Sequence, residues 1–154
     1  MQGAPFAAYA ALPPDATRVC VGKEWYRFPS SFFLPPSAPP LLFVKSGFGG
    51  QLPRPFAPWP QGLSEVPPHM NDANKEEPSR YSALKECAHV VDLDLDAQAE
   101  PSVVRDAGGA WERVRCAPFL DAAASTSTLA RAFYVPGLSD KRNVYAEYCL
   151  VRRR

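Results

Sequence analysis

The chain carries almost no excess charge of either sign, since 17 basic residues stand against 16 acidic ones for a formal net charge of +1. So even a balance creates no global field toward polyanions, and nucleic acid is not expected as a partner. Long apolar runs are missing as well. The longest are short stretches such as Leu41-Leu42-Phe43-Val44, against the roughly 20 residues that span a bilayer. Residues 1–12 are mildly apolar and alanine-rich, yet they have neither a basic leading region nor a small-residue cleavage site and do not read as a secretory signal. By itself the sequence reads as soluble, with no address. Close cysteine pairs are absent: Cys20, Cys87, Cys116 and Cys149 lie far apart, which does not match the spacing of structural zinc sites, and no metal is expected. The two histidines, His69 and His89, stand apart from any serine and aspartate arrangement of the triad kind. None of Asn71, Asn74 and Asn143 opens an Asn-X-Ser/Thr acceptor, so glycosylation offers no clue to compartment.

Proline, in contrast, is abundant. Its 18 copies are about twice the usual ~5% share, which predicts long extended connections. Hydrophobic residues make up 46% of the chain and aromatics 12%, enough for one modest core and too apolar for a disordered chain. One loop-rich domain is the expectation.

Strand signals dominate. Val19-Cys20-Val21-Gly22 reads as a buried, centrally placed strand closed by a turn, and Leu41 to Val44 as a second strand before Ser46-Gly47. Between them, Lys23 to Pro29 is aromatic and charged and suggests one helical turn ended by proline. Residues 49–68 read as an extended connection, and a short element is expected around Ser82-Ala83-Leu84. His89-Val90-Val91-Asp92-Leu93-Asp94-Leu95-Asp96 alternates, placing Val91, Leu93 and Leu95 on one face and Asp92, Asp94 and Asp96 on the other. Trp111 to Cys116 alternates more weakly, with Val114 and Cys116 expected on one face. Residues 122–132 favour a helix capped by Asp121, and Asn143 to Val151 reads as a long strand that sets Val144, Ala146, Tyr148 and Leu150 against Asn143, Tyr145, Glu147 and Cys149. The sum is an α+β domain with a mixed β-sheet, few short helices and long Pro-rich loops. Residues 19–151 form the domain, preceded by a poorly defined segment 1–18 and followed by a basic tail 152–154.

Few groupings suggest chemistry. The Asp92, Asp94 and Asp96 ladder offers carboxylates for a divalent cation and a sugar diphosphate, but the preferred reading is a solvated face of an edge or half-buried strand. Gly47-Phe48-Gly49-Gly50 is not followed by the Gly-Lys-Ser/Thr of a phosphate loop and reads as turn geometry. Cys87 and His89 are unpersuasive as nucleophile and base, since residues two apart on a strand merely sit side by side. For the cysteines, strand positions favour buried small hydrophobes for at least two, while an oxidising compartment would allow any of three disulfide connectivities.

Several blocks in order carry a resemblance: Val19-Cys20-Val21-Gly22-Lys23-Glu24-Trp25-Tyr26-Arg27-Phe28-Pro29-Ser30-Ser31-Phe32, then Gly50-Gln51-Leu52-Pro53-Arg54-Pro55-Phe56, then Met70-Asn71-Asp72-Ala73-Asn74-Lys75-Glu76-Glu77-Pro78-Ser79-Arg80-Tyr81, with Val91-Asp92-Leu93-Asp94, Pro118-Phe119-Leu120-Asp121 and Arg131-Ala132-Phe133-Tyr134-Val135-Pro136 after them. Together they resemble the dolichyl-phosphate-mannose-dependent alpha-1,2-mannosyltransferases of glycosyltransferase family 22, in the type C membrane class, over nearly all of residues 19–151. Pro35 to Pro40 and Arg105 to Ala110 depart from the pattern as loop variation.

The resemblance implies the lumenal C-terminal part of an endoplasmic-reticulum membrane enzyme that moves mannose from dolichyl phosphate mannose to a lipid-linked oligosaccharide in asparagine-linked glycosylation. In that class the catalytic carboxylate and the donor site lie in other parts of the protein. No catalytic residue is therefore carried over, no cofactor is implied, and the expected partners are the transmembrane part of the same enzyme and the oligosaccharide acceptor. Trp25, Tyr26, Asn71, Asp72, Asn74, Glu76, Glu77 and Arg80 offer aromatic faces, amides and charges that grip sugar hydroxyls, though the favoured reading is that they lock long loops onto the sheet. Apolar surface is expected where a membrane bundle docks. Two other functions compete: a non-catalytic glycan- or protein-binding module from a truncated or duplicated gene, and a free-standing sugar-nucleotide transferase working through the Asp92 strand.

Overall fold

The computed structural model describes residues 3–23, 30–34, 38–55, 57–95, 102–105 and 108–154. Its centre is a five-stranded mixed sheet built from β1 (Val19–Val21), β2 (Leu42–Phe43), β3 (His89–Asp94), β4 (Trp111–Asp121) and β5 (Val144–Arg153), in the order β2-β1-β3-β5-β4. β1 runs parallel to both β2 and β3, while β5 is antiparallel to β3 and to β4. Three short helices, α1 (Ala4–Tyr9), α2 (Thr128–Ala132) and α3 (Ser139–Arg142), complete an α+β domain.

Both faces of the sheet are covered, which is why β1 and most of β3 are buried at consecutive positions rather than alternate ones. On one face Val91, Leu93, Leu95, Tyr148 and Leu150 pack with Ala4, Ala8 and Tyr9 of α1. On the other, Cys20, Val90, Cys149 and Val151 pack with Cys87, Val104 and Trp111. β3 lies at the middle of the strand order, flanked by β1 and β5.

No element is read before Val19 from the sequence, yet α1 forms there. Six residues are too few to hold a helix in water. Pro5 sits in its first turn, where a missing N–H costs nothing, and the buried set Ala4, Ala8 and Tyr9 fixes it to the sheet. Tyr9 stacks on Phe33, ring centroids 5.4 Å apart. β1 is interior as expected, though one place from the centre.

The expected helix over 122–132 is mostly turn. Asp121 does cap, its Oδ1 accepting the N–H groups of Ala123 and Ala124, both at 3.0 Å, but no helix propagates. Ser125 is buried and accepts the Val144 N–H at 2.9 Å, so its hydroxyl ties the segment to β5 instead. The helix starts only at Thr128, capped by Ser127. In β4 the expected pairing of Val114 with Cys116 on one face is overturned. Arg113 pairs with Val151 and Arg115 with Leu150, which leaves Val114 as the extra residue of a bulge, 41% exposed.

All four cysteines are disulfide-bonded, which corrects the preference for buried free thiols. Cys20 of β1 joins Cys87, just before β3, with Cα atoms 5.7 Å apart. Cys116 of β4 joins Cys149, its register partner on β5, at 4.1 Å. A directly opposed antiparallel pair brings Cα atoms this close only where the two residues do not exchange backbone hydrogen bonds, and that register was not readable from spacing.

Candidate functional site

Asp92 is the most buried acid among the described residues. It sits in β3 opposite Cys149 and is 2% exposed. Its Oδ1 accepts the N–H groups of Leu93 at 2.9 Å and Lys23 at 3.3 Å. Its Oδ2 accepts the N–H of Val103 at 3.1 Å and the Ser102 hydroxyl at 3.4 Å. Burial pushes the carboxyl above the ordinary aspartate value, while the Lys23 charge and the three N–H donors pull it back. Lys23 is itself buried, and its Nζ makes no hydrogen bond among the described residues. Next along the strand, Asp94 pairs with Arg105 at 2.5 Å, and Arg105 also donates to the Leu95 carbonyl.

The acid ladder is therefore not the solvated face expected from its alternation. Residues 102–105 lie over Asp92 and Asp94 and bond to one oxygen of each, Asp92 Oδ2 and Asp94 Oδ1. Asp96 lies outside the described residues. Among those described, no group of three His, Cys, Asp or Glu residues is placed to hold a metal ion.

The second concentration of polar residues is the segment 69–81, whose side chains bond within the segment and to residues 45–51. Asn71 closes a loop by donating from Nδ2 to the Lys75 carbonyl at 3.0 Å and accepting the Lys75 N–H at 2.9 Å. Asn74, in the left-handed region at φ 49°, accepts the Gln51 N–H at 3.0 Å, and Gln51 donates to the His69 carbonyl at 3.2 Å. The Glu77 carboxylate accepts the Ser79 N–H and caps the 3₁₀ turn Pro78–Arg80; these bonds lower its proton affinity. Glu76 pairs with Lys45, whose Nζ lies 5.0 Å from the centre of the Tyr81 ring. The bond to Lys45 lowers the Glu76 carboxyl and raises the Lys45 ammonium, and burial raises the Tyr81 hydroxyl. Tyr81 bridges to Phe43 at the edge of β2, which anchors the whole segment to the sheet.

The sequence-derived site residues thus divide. Asn71 and Glu77 bond backbone groups of their own loop, while Asn74 and Glu76 tie it to Gln51 and Lys45. Arg80 is buried under it with Nε unpaired and one terminal nitrogen donating to Met70 Sδ at 3.6 Å. Asp72 is exposed. Trp25 and Tyr26 lie outside the described residues. Gly50 belongs to this cluster: a β-carbon there would meet the Phe48 ring at 2.2 Å and Asn74 Nδ2 at 3.2 Å.

The two histidines stay apart from these clusters. His69 is exposed on the loop at φ 66°. His89 is buried at the start of β3, and neither ring nitrogen meets hydrogen-bond geometry although the Thr17 backbone lies near. Burial and then the Arg152 charge lower its proton affinity. Sequence alternation missed how Lys23, Ser102 and Val103 converge on Asp92, because these contacts join segments 10 or more residues apart. The one local signal was Gly22, where a β-carbon would lie 2.3 Å from Asp92 Oδ1.

No helix among the described residues is long and apolar enough to cross a membrane. The chain is 51% identical over 138 residues to "Alpha-1,2-mannosyltransferase ALG9" of Mus musculus, a match covering 88% of this chain and 22% of that protein. It is 42% identical over 149 residues to "Alpha-1,2-mannosyltransferase algn-9" of Caenorhabditis elegans, covering 90% of this chain and 25% of the relative. It is 33% identical over 149 residues to "Alpha-1,2-mannosyltransferase ALG9" of Saccharomyces cerevisiae, covering 86% and 26%. The chain spans about a quarter of the length of the curated relatives it matches. No family model matches it. No solved structure matches it.

Proposed function

We propose, from the homology of this chain to one part of the alpha-1,2-mannosyltransferases, that it is a non-catalytic domain of such an enzyme, facing the lumen of the endoplasmic reticulum. The reaction in view is transfer of mannose from dolichyl phosphate mannose to a lipid-linked oligosaccharide, with donor binding and the catalytic base supplied by parts of the enzyme outside these residues. An inverting transfer needs a carboxylate free to take the acceptor proton. The observation that carries the non-catalytic reading is the state of the acids on β3: Asp92 is saturated by four donors and buried, and Asp94 is ion-paired. Two disulfides support an oxidising compartment.

Within that domain we read the segment 69–81 as a structural clamp. Asn71, Asn74 and Glu77 spend their polar atoms on backbone groups of residues 51, 75 and 79, and Glu76 spends its carboxylate on Lys45.

The test is made in the membrane-embedded, full-length enzyme with Asn71→Ala and Asp72→Ala, measuring mannose transfer per amount of enzyme and the range of acceptors used. Lower abundance with unchanged turnover and unchanged acceptor range is expected for Asn71→Ala, and little effect for Asp72→Ala. A change of acceptor range at normal abundance would make the loop a glycan site. Mannosyl transfer by the 154-residue chain alone would refute the non-catalytic reading.

A further inference from the structure

Among the described residues, exposed apolar side chains include Phe6 and Phe32, both in ring contact with Phe33, and gather in two longer stretches. Trp59, Leu63 and Val66 stand 77–91% exposed in a proline-rich segment whose 57–68 stretch carries one charge, Glu65. The second place, residues 128–144, contains Leu129 at 75% and Phe133 at 68%, with Tyr134, Val135, Leu138 and Val144 about half exposed. Here the chain is folded with its polar groups turned inward. The buried Ser139 hydroxyl donates to the Phe133 carbonyl at 3.1 Å and accepts the Val135 N–H at 2.9 Å. Asn143 donates to the Ala130 carbonyl at 2.9 Å, and Asp140 accepts from the Tyr134 hydroxyl and the Gly137 N–H, both at 3.2 Å. α2, the 133–138 turn and α3 are thereby cross-linked into one knuckle whose apolar side chains remain outside.

The knuckle also carries an excess of positive charge, three cations against one acid. Arg131, Lys141 and Arg142 are exposed, and none of them forms an ion pair with a described residue. The single acid, Asp140, is already bonded to Tyr134 and Gly137. Apolar side chains beside exposed cations, of which Arg131 donates to the Ala122 carbonyl at 2.6 Å while Lys141 and Arg142 have no ion pair with a described residue, fit the boundary of an anionic bilayer, where acyl chains take the first and lipid phosphates the second. The Trp59 segment lacks cations and has no such complementarity.

We propose that residues 128–144 are a peripheral membrane-docking surface, with Leu129, Phe133 and Leu138 entering the headgroup boundary and Arg131, Lys141 and Arg142 against the phosphates of anionic lipid. This goes beyond the enzymatic reading and does not depend on it, since docking is measured without any mannosyl transfer.

The test is flotation of the full 154-residue chain with phosphatidylcholine vesicles, with and without phosphatidylserine. Binding that is stronger on the phosphatidylserine vesicles and weaker at high salt is expected. Leu129→Ser with Phe133→Ser should reduce partitioning by roughly tenfold or more, given the apolar burial removed. Lys141→Glu with Arg142→Glu should abolish the preference for anionic vesicles, and it decides the matter if the first variant does not fold by near-UV circular dichroism. Trp59→Ser with Leu63→Ser should leave binding intact. The proposal fails if the parent chain does not float, if the Trp59 pair rather than the knuckle controls flotation, or if the knuckle instead mediates a dimer that Leu129→Ser and Phe133→Ser dissolve.

Discussion

At Gly22 a side chain would collide with the carboxylate that organises one face of the sheet. The nearest atoms to an added β-carbon are Asp92 Oδ1 at 2.3 Å and Cγ at 2.8 Å, and the carboxylate cannot swing aside without dropping its donors on Lys23, Leu93 and Val103. Gly22→Ala is therefore expected to destabilise the chain by about 1–3 kcal/mol, the usual range for overpacking, read as a lower midpoint in urea unfolding. Asp92→Ala should cost about 1–3 kcal/mol for each buried N–H left unpaired. Asp92→Asn keeps acceptor capacity on one oxygen only and should fall between. His89 gives a pH dependence. Its proton affinity in the fold lies below the ordinary histidine value because of burial and Arg152. Above pH ~6.5 both folded and unfolded forms are neutral and His89 contributes nothing. As pH falls through that value the unfolded chain takes up a proton that the native one refuses. Stability then drops, by at most about 1.4 kcal/mol per pH unit, until the native value is reached. Comparing urea midpoints at pH 8 and pH 5.5 for the parent chain and His89→Phe isolates the effect, since a smaller difference in the variant is expected.

Among the elements, those whose pattern was written locally were legible. β5 shows Tyr148 and Leu150 on one face and Cys149 and Val151 on the other, as its alternation reads. β3 reads correctly for Val91, Leu93 and Leu95, but its acidic face did not, because the residues that cover it arrive from the 102–105 segment. The alanine run predicts a longer α2 than forms, because the Ser125 hydroxyl accepts the Val144 N–H and ties the segment to β5. Its true start is testable: Ser127→Ala removes the cap on the Ala130 N–H and should cost about 1 kcal/mol, with Asp121→Ala acting on the preceding turn instead. The disulfides close loops of 67 and 33 residues, worth about 4 kcal/mol each in the chain-entropy account. Reduction should therefore lower the urea midpoint by more than Gly22→Ala or Ser127→Ala does, and a Cys116→Ser, Cys149→Ser chain should retain part of that stability through Cys20–Cys87.

For the molecule as a whole, the single α+β domain followed from composition and from strands spaced by prolines. The polar loop 69–81 was also visible as a cluster of amides and acids. What was not visible is the direction those side chains take: Asn71 and Glu77 look the same in sequence whether they face a ligand or their own backbone, and only the positions of the Lys75 and Ser79 backbone groups decide. The knuckle at 128–144 was hidden for a similar reason, since the outward placement of Leu129 and Phe133 depends on Ser139 and Asn143 holding the backbone. One result of the covalent pattern concerns proteolysis. Residues 57–68, with Trp59, Leu63 and Val66 in the open, lie inside the ring closed by Cys20 and Cys87. A single cut there would leave both pieces tied together at the edge of β3, so limited digestion should give one band on a non-reducing gel and two once the thiols are freed.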